Sequence, residues 1–269
     1  MRRRLLVVCL FVLVLLPALV CVAQQGLQVA PPAQKVEPPS PTATMTELEA
    51  RGDELRDLKM YRDAIDYYNA AIGKSERDKA HSAILYNKMG IAQLQMLRFK
   101  DADKSFGRAV KMDKTYAEAY NNRGVVYYQQ KRYGKAIREY KKAIELRETS
   151  ASFHSNLGSA YFSQDKFENA AIEYGRAMQL DPDIFERNSK GGVAAHLQSP
   201  EDRAHFSFVV AKMYAQVGNF DRSLLYLRRA MEDGYKGIDE VYKDQEFAKL
   251  RTDPRFAELM AAKPVSIPQ

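Results

Sequence analysis

The chain has 269 residues, 46% apolar and 28% charged, enough for a packed core in one or two domains and too polar for a protein embedded in membrane throughout. Its formal charge is +7, but Arg2, Arg3 and Arg4 supply three of those charges; without residues 1–23, 38 basic residues face 34 acidic ones, and this balance of +4 is too mild to imply nucleic acid. Both cysteines, Cys9 and Cys21, lie in that N-terminal segment, so a processed product would carry no thiol, no disulfide and no cysteine-ligated metal.

The three arginines precede an apolar run from Leu5 to Val20, followed by Cys21, Val22 and Ala23. A positive start, an apolar middle and small residues at a cut site form the pattern of a secretory signal, with cleavage expected after Ala23. An uncleaved anchor stays open beside it, because Leu5–Ala23 approaches the roughly 20 residues that span a bilayer. Val20 before Cys21 argues against lipid attachment. Residues 24–44 hold Pro31, Pro32, Pro38, Pro39 and Pro41 among small polar residues; such a stretch buries too little to fold and reads as a tether.

From residue 45 the chain repeats itself. Gly52, Gly90, Gly124 and Gly158 recur at intervals of 38, 34 and 34 residues. Twelve residues after each stands Ala64, Ala102, Ala136 or Ala170, and seven further on Ala71, Ala109, Ala143 or Ala177. Tyr68, Phe106, Tyr140 and Tyr174 form an aromatic column between those alanines, and Tyr61, Phe99, Tyr133 and Phe167 form a second. Glycine inside a helix costs about 1 kcal/mol relative to alanine. Its fourfold recurrence predicts a tight helix crossing where no side chain fits. The three-, four- and seven-residue spacings mark one helical face, so each unit is two antiparallel helices joined by a turn such as Gln129–Tyr133. One pair cannot bury its apolar faces alone, whereas a stack can.

The segment Tyr120–Tyr128, with Tyr133, Ala136, Tyr140 and Ala143 behind it, resembles the tetratricopeptide repeat at nearly every signature position, and Leu180-Asp181-Pro182 closes the fourth unit in that family's manner. The first unit is weaker, with Leu48 and Leu55 where aromatics are common. The resemblance covers about residues 45–260. It implies an all-α, right-handed superhelical solenoid of about five helix-turn-helix repeats with a short helical C-terminal cap. Four units span 45–182, an irregular insert 183–198, a fifth unit 199–235 and the cap 236–263. In the fifth unit Ala211, Tyr214, Gly218, Phe220, Leu227 and Ala230 keep the register at an offset of 53, with Ser223 in an alanine position. Ser199-Pro200-Glu201-Asp202 reads as its helix start. The insert, with Gly191-Gly192, reads as a surface loop with a helical turn. In the tail, Asp253 is placed to cap a helix that Pro254 begins, and two short helices would cover the last repeat.

The register puts first-helix side chains on the concave side of such a stack. They are Asn87, Ile91 and Leu94 in the second unit; Asn121, Val125 and Tyr128 in the third; Ser155, Ser159 and Phe162 in the fourth; Phe208 and Lys212 in the fifth. Glu49, Asp53 and Arg56 in the first unit would make that end acidic. The expectation is a protein or peptide partner with an apolar middle, gripped by asparagine amides and anchored on Tyr128 and Phe162. Some relatives clamp a terminal carboxylate with Lys and Asn at the first groove helix; the acids Glu49 and Asp53 at those places exclude that clamp here. Arg108, Lys142, Arg176 and Arg229 form a basic column on the outer face of second helices, a place for anionic lipid or another acidic surface, with a solvated face as the default reading.

His81, His154, His196 and His205 have no metal-binding spacing, and no phosphate loop or nucleophile turn is recognisable. His154 shares a column with Tyr86 and Tyr120, which favours packing. No cofactor, catalytic residue or metal ligand is expected. The expected role is a non-catalytic interaction scaffold, exported to the periplasm or envelope. Two readings compete with it. One is a membrane-anchored accessory protein retained by residues 5–23, the only membrane contact expected. The other is an enzymatic or sugar-binding activity in the insert.

Overall fold

The computed structural model of the chain describes residues 36–75, 78–187 and 199–262. The expected cut after Ala23, residues 24–35 of the proline-rich tether and most of the insert lie outside them. The described residues from Pro38 onward belong to one compact unit. The described residues contain helices and no strand: α1 (Met45–Asp57), α2 (Tyr61–Lys74), α3 (Lys79–Gln95), α4 (Phe99–Met112), α5 (Ala117–Gln129), α6 (Tyr133–Leu146), α7 (Ala151–Phe162), α8 (Phe167–Leu180), the one-turn α9 (Ile184–Arg187), α10 (Pro200–Gln216), α11 (Phe220–Glu232) and α12 (Pro254–Ala262). None of them is long and apolar enough to cross a membrane.

Helix starts follow local chemistry. Thr44 and Glu47 close a reciprocal capping box at α1, with Thr44 N donating to Glu47 Oε2 at 2.8 Å and Glu47 N to Thr44 Oγ1 at 3.2 Å. Asp78 accepts from His81 N at 2.9 Å to start α3, and Ser199 accepts from Asp202 N at 3.0 Å to start α10, with Pro200 at the first position. The turn inside each pair is built the same way five times. Lys59, Leu97, Lys131, Asp165 and Gly218 take left-handed φ of 61, 57, 58, 56 and 78°. The next N–H reaches back to a carbonyl five residues earlier, as Arg132 N does to Tyr127 O at 2.8 Å. Only the fifth turn uses glycine.

The pairs α1/α2, α3/α4, α5/α6, α7/α8 and α10/α11 stack in chain order, each second helix lying on the next first helix; α8 meets α10 more sparsely, across the insert. The small-residue reading accounts for the crossings. A Cβ placed on Gly52, Gly90, Gly124 or Gly158 would lie 2.7, 2.7, 2.5 or 2.6 Å from the ring of Tyr68, Phe106, Tyr140 or Tyr174, inside van der Waals contact. All eight repeat alanines are fully buried. The fifth unit exchanges both partners at once, Ala211 for glycine and Leu227 for the aromatic, and both are fully buried. Ser223, in the alanine position, donates to Ala211 O at 2.8 Å, which satisfies its hydroxyl.

The C-terminal cap is one α-helix with three 3-10 turns (Ile238–Tyr242, Gln245–Phe247 and Leu250–Thr252) rather than two short helices. Val241, Phe247, Leu250, Phe256 and Leu259 join the core that runs through the last three units. In the insert, α9 supplies the helical turn, and its Phe185 stands edge-on to Tyr174 and Phe206 at 5.4 and 5.9 Å.

Candidate partner-binding face

The first helices present one row of side chains along the stack, and their amides bond to each other. Asn122 Nδ2 donates to Asn87 Oδ1 at 2.9 Å, Asn156 Nδ2 to Asn121 Oδ1 at 2.9 Å, and Asn87 Nδ2 to Tyr116 Oη at 3.2 Å. This ladder ties α3, α5 and α7 together. It also commits Asn87 and Asn121, both buried, to the solenoid and not to a peptide backbone.

The expected apolar anchors are inside as well. Phe162 is 3% exposed, packed edge-on to Phe167 and His205 at 5.3 Å each and to Phe206 at 6.2 Å. Tyr128 is 9% exposed, its ring 5.4 Å from Tyr133 and its hydroxyl 3.0 Å from Ser163 Oγ. Ser159 Oγ donates to Ser155 O at 2.8 Å, and Ser155 is buried beside it with its own hydroxyl unsatisfied. These four side chains complete the packing of adjacent units and offer a partner little surface.

In the fifth unit the chain's own tail occupies the row. Tyr235 stacks on Phe208 at 4.5 Å, Phe247 tilts against it at 5.5 Å, and Lys212 Nζ lies 3.0 and 3.5 Å from carboxylate oxygens of Asp244 and Glu246. Phe208 is thus buried from within and Lys212, still partly exposed, is paired with the tail's acids, a correction to their placement in an open groove.

The first unit is corrected too, because its acids are neutralised. Lys88 on α3 donates to Glu49 Oε1 at 2.6 Å and Asp53 Oδ2 at 2.5 Å; His81 Nε2 meets Glu49 Oε2 at 2.7 Å; Tyr68 Oη donates to Asp53 Oδ1 at 2.8 Å. Partial burial opposes the charge on Glu49, yet its bonds to Lys88 and His81 hold its pKa below the usual carboxylate range. Burial likewise works against Lys88, and the two carboxylates raise its pKa.

Ile91, Leu94 and Val125 remain partly open. Ile91 and Leu94 rest on Ala102, Phe106 and Val126, and Val125 on the main core. Ile84, which the register reading passed over, is exposed seven residues before Ile91. Its place three residues before Asn87 carries the helical spacing that could have found it. The open part of the row is therefore a short aliphatic strip on α3 and α5.

His154 behaves as a packing residue. It is buried, with Nδ1 2.7 Å from Glu173 Oε2 and Nε2 2.9 Å from Glu148 O. Among the described residues no group of three or more His, Cys, Asp or Glu stands close enough to hold a metal. On the outer side, α8 and the end of α10 enclose an apolar cleft of about 640 Å³ lined by Ile172, Gly175, Met178, Met213, Tyr214 and Val217, among others.

Family profiles match two stretches of the chain, a TPR repeat over residues 126–165 and a tetratricopeptide repeat over residues 151–184. No curated protein matches. Among solved structures, MamA from Desulfovibrio magneticus RS-1 (residue 41 to its end) is 15% identical with a TM-score of 0.50, covering 70% of this chain and 93% of that one. Another MamA crystal structure is 20% identical, TM-score 0.49, over 75% of this chain and 95% of that one. YrrB, described as a TPR protein with an unusual peptide-binding site, is 16% identical, TM-score 0.45, over 76% and 89%. With the glycine–aromatic crossings and the five like turns, the two profile matches identify residues 126–184 as tetratricopeptide repeats, and the 15% identical structure shows a likeness of fold.

Proposed function

We propose that this protein is an interaction scaffold of the bacterial cell envelope, holding a partner peptide or domain on the open concave strip of its second and third units. Protein–protein interaction is the role that the repeat fold supports. The observation that carries the finer reading is the partly open strip of Ile84, Ile91, Leu94 and Val125. Aliphatic side chains that a solenoid leaves at its own surface, above a bonded amide ladder, favour a partner with an apolar stretch. The export reading rests on the order arginines, apolar run, small residues in 1–23. An uncleaved anchor at residues 5–23 is the second reading, favoured by the 19-residue length of Leu5–Ala23.

The test is a crosslinking pull-down from the native cell, comparing the natural chain with Ile91→Glu, Leu94→Glu. Loss of a specific captured protein, with helical circular dichroism retained, supports the strip. Equal capture by both chains removes it. Mass spectrometry of the native N-terminus separates the two envelope forms: a start at Gln24 favours export with cleavage, and an intact start favours the anchor.

A further inference from the structure

The second helices carry a surface that partner binding on the concave side does not use. Residues 98–147 hold fourteen basic and six acidic side chains, a net +8, while everything else after residue 23 sums to −4. Four of these cations fall on equivalent places of α4 and α6, 34 residues apart: Lys104 with Arg138, and Arg108 with Lys142. All four are exposed. Lys104, Arg108 and Arg138 have no carboxylate within ion-pair distance among the described residues, and Arg108 lies over the Tyr86 ring at 5.4 Å. Lys142 meets Glu145 at 2.9 Å on its own exposed helix face, a contact of small worth.

The same columns continue into the later units with a change of chemistry. Arg176 and Arg229 keep the place of Arg108, whereas Ile172 and Leu225 take the place of Lys104. Ile172 is 64% exposed, and with Val217 at 66% it edges the outer cleft; Leu225 is exposed too. Aliphatic side chains are thus held in water four residues from Arg176 and Arg229, which have no carboxylate within ion-pair distance among the described residues.

That combination discriminates between anionic partners. Nucleic acid would use the cations and gain nothing from Ile172, Leu225 or Val217. At an anionic bilayer the cations meet headgroups while the aliphatic chains enter the interfacial layer. The sequence adds a separate reason. Leu5–Val20 behind three arginines directs the chain to a membrane, and the 21 residues of 24–44 reach about 75 Å at most. If residues 5–23 stay in place, the body remains within that distance of the lipid at high effective concentration.

We propose that the outer face of α4 and α6, with Ile172 and Leu225 at its margin, docks on an anionic phospholipid bilayer. Membrane contact is then not confined to residues 5–23.

The test is co-sedimentation of the full chain with vesicles of equal parts phosphatidylglycerol and phosphatidylcholine, against phosphatidylcholine alone. The neutral vesicles read whatever the N-terminal apolar run contributes by itself. Binding to the anionic vesicles should exceed that level at about 0.05 M salt and lose the excess at about 0.5 M, where the screening length falls to a few ångströms. A cation near such a surface multiplies partitioning about fivefold, so Lys104→Glu, Arg108→Glu, Arg138→Glu should cut the excess at least about a hundredfold. Lys104→Arg, Arg138→Lys should keep it. If the reversed chain loses helical circular dichroism, Lys104→Gln, Arg138→Gln is read instead and should lose about tenfold or more. The proposal is overturned by an absent anionic excess, by an excess that a folded charge variant retains, or by retention on polyglutamate without vesicle binding, which would assign the face to an acidic protein.

Discussion

Gly124→Ala adds one methyl group at the tightest crossing in the stack. The new Cβ would stand 2.5 Å from Tyr140 Cε1, 2.6 Å from Cδ1 and 3.1 Å from Cζ. Ordinary carbon contacts begin near 3.5 Å, so the ring must give by about 1 Å. Tyr140 is 2% exposed and sits between α5, α6 and the following unit, with no empty side to move into. Overpacking of this kind costs about 1–3 kcal/mol, while alanine in place of glycine returns up to about 1 kcal/mol of helix propensity. The net expectation is a loss of about 1–2 kcal/mol. The fifth unit already contains the compensated pair, Ala211 against Leu227. Tyr140→Leu alone should therefore cost a cavity, about 2–4 kcal/mol, and the double variant Gly124→Ala, Tyr140→Leu should cost at least about 1 kcal/mol less than the two single losses together. Urea unfolding followed by circular dichroism gives the four values, with the transition midpoint used if a repeat array departs from two-state behaviour. Additive losses, or a Gly124→Ala chain at least as stable as the natural one, would refute the view that close helix approach is why glycine stands there.

Two other expectations follow from backbone and charge. Leu97 is 69% exposed and holds a left-handed φ of 57°, a conformation costing a side-chain-bearing residue about 1–2 kcal/mol. Leu97→Gly should raise stability by about 0.5–1 kcal/mol after the entropy of glycine is subtracted, as Gly218 does natively in the fifth turn; an unchanged or lower thermal midpoint would count against strain at that turn. Burial among Phe162, Phe167 and Tyr235 lowers the pKa of His205, against the opposing influence of Glu240, Asp202 and Asp165. A lowered folded-state pKa means that the unfolded chain takes up its proton first. The stability from the neutral ring is full above the unfolded value of about 6.5 and is lost as pH falls below it. His205→Phe should lose less melting temperature than the natural chain between about pH 7.5 and about pH 5, and equal losses would exclude His205 as a contributor.

The repeat register, the turn positions and the start of α10 were legible in the amino-acid order. Each depends on contacts within one helix pair, where small and aromatic residues must face each other at a crossing. The same register placed Phe162, Tyr128 and the asparagines on one row of the first helices. Address is not exposure. Phe162 disappears beneath residues of the next unit, 43 and 44 positions away at His205 and Phe206, and Asn121 is taken by Asn156, 35 positions on.

The amino-acid order thus determined that this chain stacks helix pairs, because helical periodicity and the lack of room at a crossing are written into neighbouring positions. Only the folded molecule decided which part of the shared face stays open. Lys88 silences the acids of the first unit, the tail lies over Phe208 and pairs its acids with Lys212, and Ile84, Ile91, Leu94 and Val125 are left partly uncovered. Those outcomes depend on side chains from other units reaching across space, and no spacing within one repeat encodes where such a side chain ends.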